Sequence, residues 1–493
     1  MNFLSLFVLI PLLTLGGLLC CKKPSQIRVL CAGAGIALLA LALTLLGLYI
    51  QARHGGATAP MLFCADLLWY APWNIHYSVG VDGISVLMLL LSAIIVLTGV
   101  FASWRIDPMP KEYFLWYFLL STGVFGFFIS LDLFSLFMFY EIALIPMFLL
   151  IGIWGSGQKE RAAMKLTLML MGGSALLLLG ILGLYFFHGA ESMNLLAMAE
   201  HGMPAEAQRR FFPFVFIGFG VLGALFPFHT WSPDGHASAP TAVSMLHAGV
   251  LMKLGGYGCF RVAITLMPEA ATELAWIFLL LTGISVVYGA FSACVQTDLK
   301  YLNAYSSVSH CGLVLFALLM LNPTAMTGAV LQMLSHGLMT ALFFALIGGI
   351  YGRTHTRDIR QMGGLMKVMP WLGVCYVVAG LASLGLPGLS GFVAEMNVFV
   401  GAFQEADLLH RVLTIVACTS IVITAVYILR VVGKLLYGPL QNPEHALLPD
   451  AAWYEKVATA TLIAAILVVG LTPHWIADLI HESLTPVTAM LGR

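Results

Sequence analysis

The feature that most constrains this chain is a long series of apolar runs, each about as long as a bilayer is thick. A helix needs about 20 apolar residues to span the hydrocarbon core of a membrane. We count fourteen such runs, at 2–20, 27–50, 83–104, 113–130, 133–153, 163–188, 211–229, 240–265, 274–295, 302–321, 325–350, 369–399, 411–436 and 457–480. The sequence therefore predicts an all-α polytopic membrane protein with about fourteen transmembrane helices.

Composition supports a membrane protein and excludes several functions. Only 9% of the residues are charged, whereas soluble chains have about a quarter. The formal net charge is zero, so nothing points to nucleic acid. The nine cysteines form no C-x-x-C pair, and no G-x-x-x-x-G-K-[ST] motif occurs. We therefore expect no metal and no cofactor on this chain, and no ATP-driven pumping.

The distribution of basic residues predicts the orientation of the chain. The first apolar run is followed, not preceded, by its basic residues, which favours a first transmembrane helix over a signal peptide. With both termini outside, the inner segments hold sixteen Lys and Arg residues and the outer segments six. Lys300 is counted as inner and Arg261 as outer. The predicted protein is multi-pass, with both termini on the outer side of its membrane.

The stretch from Phe226 to Gly258 combines two features that are costly in lipid. Pro227 interrupts the seventh run, a polar turn is predicted at 230–238, and Lys253 lies about halfway along the eighth run. A charge near the bilayer centre costs at least about 2.5–3.5 kcal/mol, and irregular backbone is tolerated there only where protein or internal water covers it. The alternative is a packing kink with a lysine that reaches a surface. Together the features favour an ion or proton path.

A second interruption suggests an internal repeat. Pro387 interrupts the twelfth run, five helices after Pro227. An odd separation inverts one copy relative to the other, as in many transporters whose broken helices mark the conduction site. The alternative is that proline and glycine are common in membrane helices anyway.

Few ionisable residues lie deep in the predicted helices. A proton path needs groups that change charge, and carboxylates, lysine and histidine serve when burial and pairing adjust their affinity for protons. For each histidine a structural role is an equal alternative, Glu395 could lie at a surface, and Asp132 could be a helix cap or a relay group. The candidates are Glu141, Lys253, Glu395, His229, His236, His247, His310 and His336.

Several long motifs resemble one family. They are HTWSPDGHASAPTAVSMLHAGVLMKLGGYG, TDLKYLNAYSSVSHCGL, LSHGLMTALFFALIGGIYGRTHTRDIRQMGGL and LASLGLPGLSGFVAEMNVFVGAFQ. They resemble the antiporter-like membrane subunits of NADH-quinone oxidoreductase, respiratory complex I, and most closely the chain M branch, which includes mitochondrial subunit 4. The resemblance runs from about residue 82 to residue 436.

The resemblance implies a fold and a function. It implies inverted five-helix repeats at 113–265 and 274–436, preceded by three helices at 1–112 and followed by a loop and a last helix at 437–493. It implies proton translocation in the membrane arm, driven by quinone reduction elsewhere in the complex. NADH, FMN, iron–sulfur clusters and quinone would bind other subunits. The expected partners are membrane lipid and other membrane subunits, especially the antiporter-like chains L and N.

The resemblance also assigns roles to residues. It places relay groups at Glu141, Lys253, His310, His336 and Glu395, and sister chains typically have lysine where Glu395 stands. One position departs from the family, because the usual lysine of the seventh helix is replaced by Leu222. His247, His229 or Lys253 itself is then the candidate substitute beside Glu141.

Two other functions stay open at this point. A subunit of a multisubunit sodium/proton antiporter would use the same architecture without redox chemistry, although Glu395 argues against it. A subunit of a related membrane-bound hydrogenase complex differs only in the electron input, which belongs to other chains.

Overall fold

Helices of membrane-spanning length dominate the computed structural model, which describes residues 2–187 and 192–492. A single β-hairpin consists of β1 (Leu62–Tyr70) and β2 (Ile75–Val81). The helices are α1 (Leu6–Cys20), α2 (Pro24–His54), α3 (Gly83–Ala102), α4 (Pro110–Ile129), α5 (Leu133–Trp154), α6 (Lys159–Phe187), α7 (Leu195–His201), α8 (Ala205–Leu222), α9 (Trp231–Ser238), α10 (Thr241–Leu246), α11 (Met252–Gly258), α12 (Pro268–Val295), α13 (Leu299–Leu318), α14 (Pro323–Thr354), α15 (Pro370–Ser383), α16 (Ser390–Gln404), α17 (Leu408–Leu436), α18 (Trp453–Leu471) and α19 (His474–Met490).

The fourteen predicted runs are all present as helical segments. Within the described residues, ten helices are long and apolar enough to cross a membrane. The remaining four runs are α8 with α9, α10 with α11, α13, and α15 with α16, which are either broken or more polar than the others. Two of these spans, α10 with α11 and α13, are buried along almost their whole length, whereas the span of α15 and α16 also has exposed apolar side chains such as Val374 and Val400. The predicted all-α membrane fold is confirmed, with the hairpin as its one exception.

The hairpin occupies a region that hydropathy left without structure. The segment of β1 does not alternate between polar and apolar residues, and most of the strand is exposed. It is held instead by contacts to the helices. The backbone carbonyl of His76 accepts a hydrogen bond from the Ser135 hydroxyl at 2.9 Å, and the His76 amide donates to Asp132 at 3.3 Å. Such tertiary hydrogen bonds leave no periodic signal in the sequence.

Two predicted boundaries are wrong. The last run does not form one helix over 457–480, because Pro473 separates α18 from α19 and the chain turns there. The predicted polar turn at 230–238 is the helix α9, whose residues are almost all buried. The two predicted helix breaks are present, because Pro227 lies between the end of α8 at Leu222 and the start of α9, and Pro387 lies between the end of α15 at Ser383 and the start of α16.

Both broken helices end in the same hydrogen-bonded cap. The residue after the break has positive φ, +57° at Ala224 and +64° at Gly385. Each break then closes with one hydrogen bond between residues three apart and one between residues five apart, which is the Schellman pattern. The four bonds are Ala224 to Val221, Leu225 to Gly220, Gly385 to Ala382 and Leu386 to Leu381.

A second shared feature supports the internal repeat. Asp132 caps α5 and Asp298 caps α13, each accepting hydrogen bonds from two amides of the first turn. Each aspartate also pairs through its backbone with a residue some 60 positions further along, Asp132 with Asn194 and Asp298 with Asp358. The predicted capping role of Asp132 is thus confirmed. Because the two capped helices are the fifth and the tenth spans, the copies run in opposite directions across the membrane.

Ion pairs at the ends of helices agree with the alternation of spans. On the predicted outer side, Arg261 pairs with Asp82. On the predicted inner side, Arg353 pairs with Glu455 at 2.6 Å, and Arg357 with Asp298 at 3.1 Å. Two residues counted as loop cations are in fact buried, since Arg261 is 5% exposed and Lys300 is 4% exposed.

Candidate proton-transfer site

The eighth span changes its helical pitch around the central lysine. A π-helix at His247–Leu251 separates α10 from α11, and another follows at Cys259–Ile264. Such segments are often found at functional sites because their wider turns displace backbone carbonyls from regular bonding. Here the Lys253 ammonium donates to the carbonyl of Ala248, at 2.5 Å. The side chain is 1% exposed, so the alternative of a lysine that reaches a surface is wrong.

The ammonium of Lys253 also contacts a histidine from another helix. Its Nζ lies 2.7 Å from Nδ1 of His336, on α14. The other ring nitrogen of His336 lies 3.3 Å from the Ser307 hydroxyl, on α13. When Lys253 is charged it has no lone pair, so Nδ1 must accept and Nε2 must carry the ring proton. The contact therefore fixes a tautomer that would reverse if Lys253 lost its proton.

The path continues from His336 to a carboxylate. The rings of His336 and His310 stack with centroids 5.2 Å apart. Nδ1 of His310 lies 2.9 Å from the side-chain nitrogen of Gln332 and 3.8 Å from Oε1 of Glu395. Glu395 is 9% exposed, so the alternative of a surface position for it is wrong. Four helices thus bring Lys253, His336, His310 and Glu395 into one buried chain.

Buried polar atoms without a hydrogen-bond partner lie along this series of side chains. Within the described part of the protein, Nε2 of His310 and Oε1 of Gln332 are buried without a hydrogen-bond partner. Buried polar groups of this kind are normally satisfied by internal water. A cavity of about 10 Å³ also borders Lys253, close to the minimum that holds one water molecule. The chemistry of the chain is therefore suited to proton transfer through short water bridges.

The carboxylate of Glu395 packs against the second helix break. A Cβ atom built on Gly385 would lie 2.8 Å from Oε2 of Glu395, so the carboxylate occupies the space that a side chain would fill. Gly385 also has φ of +64°, a conformation that other residues adopt only with strain. The break predicted from Pro387 therefore positions the terminal carboxylate.

Two further histidines form a separate cluster. The rings of His236 and His247 lie 4.1 Å apart, and His247 stacks on Trp231 at 5.2 Å. Nε2 of His236 lies 3.3 Å from the sulfur of Met252. Among the described residues, neither ring nitrogen of His247 has a hydrogen-bond partner. The cluster adjoins the central lysine in sequence but has no hydrogen bond to it.

The structure does not bring every predicted site residue into the buried series of side chains that runs from Lys253 to Glu395. His229 packs on Tyr288 at 4.9 Å, and its Nδ1 is unpartnered within the described residues. Glu141 is partly exposed on α5, one turn from Ile145, which is 59% exposed. Its buried oxygen has no hydrogen-bond partner among the described residues. Glu141 thus forms no direct bond to His229, His247 or Lys253, and its partner stays a prediction.

Sequence reasoning missed the polar groups that complete the site. Ser307 and Gln332 contact the two relay histidines, and Lys300 is buried near the N-terminal end of the same helix as Ser307. Ser307 lies three residues before His310, on a neighbouring part of the helix surface, which was the available signal. No group of three or more His, Cys, Asp and Glu side chains in the described ranges is arranged to hold a metal.

The fold and this site define a polytopic membrane protein with transporter-like broken helices. A model of the transmembrane family described as NADH:quinone oxidoreductase/Mrp antiporter matches residues 130–424. The chain belongs to this family.

Two similar proteins are subunits of one type within this family, the type that the sequence motifs predicted. NADH-quinone oxidoreductase subunit M of Rhodobacter capsulatus is 33% identical, with 98% of this chain and 95% of that protein aligned. NAD(P)H-quinone oxidoreductase chain 4-2 of Synechocystis is 38% identical over 75% of this chain and 67% of its own length.

Solved structures give the same result for the fold. A chain of respiratory complex I from Thermus thermophilus superimposes with a TM-score of 0.89 and 27% identity, covering 99% of this chain and all of that one. A chain of the Mrp complex from Dietzia has a TM-score of 0.81 at 20% identity, covering 99% of each chain, which shows the shared fold alone.

Proposed function

We propose that this chain is a proton-translocating subunit in the membrane arm of NADH-quinone oxidoreductase. The observation that carries the proposal is the buried chain of Lys253, His336, His310 and Glu395, which links the two halves of the bundle. Opposite charges in a low-dielectric interior interact strongly. A proton that moves along the chain therefore changes the proton affinity of the next group, and a conformational signal from a neighbouring subunit can drive that movement.

The finer features of the proposal follow from the family and the charge pattern. Redox chemistry belongs to other subunits, which bind NADH, FMN, iron–sulfur clusters and quinone. The lateral neighbours are antiporter-like chains, with L and N the expected ones, and lipid covers the remaining surface. The membrane is the bacterial inner membrane, as the bacterial relatives suggest, and both termini are periplasmic because basic residues prefer the inner loops.

The proposal is tested on the purified complex in proteoliposomes. NADH oxidation should acidify the compartment on the side of the liposome membrane that the periplasmic face of the complex borders. The rate should be the same in sodium-free and sodium-containing buffer. A protonophore should collapse the gradient. Acidification that requires sodium, or a gradient that forms without electron transfer when sodium is supplied, would favour the antiporter subunit instead.

A first prediction concerns the end of the buried chain. Replacing Glu395 by alanine should lower proton translocation per assembled complex by about tenfold or more, because a titratable group that contributes general acid–base transfer is lost. Glu395→Lys should lose only a few-fold, since a lysine keeps an ionisable group where sister chains have one. Equal losses in the two variants would contradict the relay role.

A second prediction concerns Glu141. The Glu141→Gln variant should assemble normally, because glutamine has nearly the same shape and the side chain is not part of a described ion pair. Its proton translocation should fall by about tenfold, because glutamine cannot carry a proton. The control is Glu160→Gln on the exposed start of α6, which should pump normally. Full pumping by Glu141→Gln would remove this residue from the relay.

A further inference from the structure

A buried lysine at the inner end of α13 has no role in the chain described above. Lys300 is 4% exposed, and its Nζ donates to the backbone carbonyl of Ala239 at 2.7 Å. Among the described residues no carboxylate lies within ion-pair distance of it, since the neighbouring Asp298 pairs with Arg357 at 3.1 Å. An ammonium that is buried without a counterion is costly and normally marks a function.

A line of hydrogen-bonding side chains leads from this region to the central site. The side-chain nitrogen of Asn303 lies 3.3 Å from the Thr340 hydroxyl, which lies 3.2 Å from the Ser307 hydroxyl. The Ser307 hydroxyl lies 3.3 Å from Nε2 of His336. Asn303 is 3% exposed, and the two hydroxyl residues are fully buried. Lys300, Asn303 and Ser307 are spaced by three and four residues, so they share one face of the helix.

The repeat shows that this polar face is not a general property of the fold. Lys300 and Asn303 follow the cap Asp298 by two and five residues. The residues two and five positions after the equivalent cap, Asp132, are Phe134 and Phe137. The first copy therefore folds in the same way with phenylalanine at these positions. A structural requirement of the capped helix does not explain the lysine.

We propose that Lys300 is the entry residue of a proton-uptake route from the inner face to Lys253. This inference rests on the proposed proton-translocating function and deepens it. The inner end of α13 lies next to the junction of α9 and α10, where Ala239 ends one helix and the next begins. Arg357 and Asp298 are the charged groups that face Lys300 there, and the former donates to the carbonyl of Ala237 at 2.7 Å.

The proton movements balance along this route. When Lys253 is neutral, His336 carries its ring proton on Nδ1 and transfers it to the lysine amine, while Nε2 takes a proton from the Ser307 hydroxyl. Ser307 is reprotonated by Thr340, and Thr340 by water that the Lys300 ammonium has protonated. Lys300 then takes a proton from the inner aqueous phase. Every group except Lys253 ends with its original proton count, the ring proton of His336 has moved from Nδ1 to Nε2, and Lys253 has gained the one proton that the inner aqueous phase supplied.

The test uses the whole complex and the Lys300→Arg variant. Arginine keeps the positive charge and can donate to the Ala239 carbonyl, but it cannot release a proton in a protein. We expect normal assembly and at least about tenfold slower proton translocation and coupled NADH oxidation per assembled complex. We expect the same for Thr340→Val, which removes only a hydroxyl. Rapid translocation by Lys300→Arg would overturn the proposal, and Lys300 would then have only a structural role through its bond to the Ala239 carbonyl.

Two further variants separate the possible failures. Thr282→Val on α12 removes a fully buried hydroxyl that bonds only a backbone carbonyl, and it should pump at the normal rate. If it slows as much as Thr340→Val, loss of any buried hydroxyl is harmful and the route is not supported. Lys253→Met reports on the proposed function itself. Slow Lys253→Met together with rapid Lys300→Arg rejects the entry route alone, whereas rapid pumping by Lys253→Met rejects the proposed function.

Discussion

Replacing Lys253 by methionine should nearly abolish proton translocation while the complex still assembles. Methionine keeps the unbranched apolar part of the side chain but removes the ammonium that joins the carbonyl of Ala248 to His336. General acid–base groups typically contribute about 10²- to 10⁴-fold to a rate, so we expect at least about a hundredfold loss per assembled complex. The measurement is the initial rate of NADH-driven acidification in proteoliposomes, normalised to the amount of this subunit.

Two controls show whether the loss comes from proton transfer. Lys22→Met removes an exposed lysine between α1 and α2 and should pump normally. Lys253→Arg keeps a charge but cannot exchange a proton, and its longer side chain must fit beside a cavity of only about 10 Å³. It should therefore fail as well. Substantial pumping by Lys253→Arg would mean that a fixed charge, and not a mobile proton, is required at this position.

The positions of the relay residues could be predicted only in part from the sequence. Lys253, His310, His336 and Glu395 were singled out because each lies inside an apolar run, and the structure brings all four together. Their order could not be predicted, because it depends on how α11, α13, α14 and α16 pack. Hydropathy gives the depth of a residue, but contacts between helices depend on side-chain packing that has no period in the sequence.

The other differences between the predictions and the structure have similar physical causes. The hairpin escaped prediction because its strands are held by tertiary hydrogen bonds and not by an apolar face. Lys300 and Arg261 were assigned to loops because they lie at the ends of runs, where a sequence cannot distinguish a buried end from a solvated one. Leu222 is 1% exposed in the core, so the missing lysine of the family is replaced there by apolar packing. Its substitute beside Glu141 stays a prediction.

The buried ion pair at the C-terminal end of the eighth span should be essential for stability. Asp82 is 1% exposed and pairs with Arg261, whose Nε also contacts the Tyr257 hydroxyl at 3.3 Å. Asp82→Asn should retain the cap on α3, because asparagine also accepts from the Ser85 amide, yet it leaves the guanidinium without a counterion. Breaking a buried pair in this way costs about 3–5 kcal/mol. We expect reduced incorporation of the chain and a clearly lower thermal midpoint of the complex.

A surface pair and a double variant isolate the cause of that loss. Asp358→Asn breaks the pair with Arg360, which is 67% exposed, and should leave the thermal midpoint of the complex nearly unchanged. The Asp82→Asn, Arg261→Met double variant removes both charges and should recover most of the stability, because only the uncompensated buried charge is expensive. If the double variant is as unstable as Asp82→Asn, the arginine stabilises this end of the bundle through its contacts with Tyr257 and Phe260, at 5.2 and 5.3 Å from the ring centres, and not through its charge.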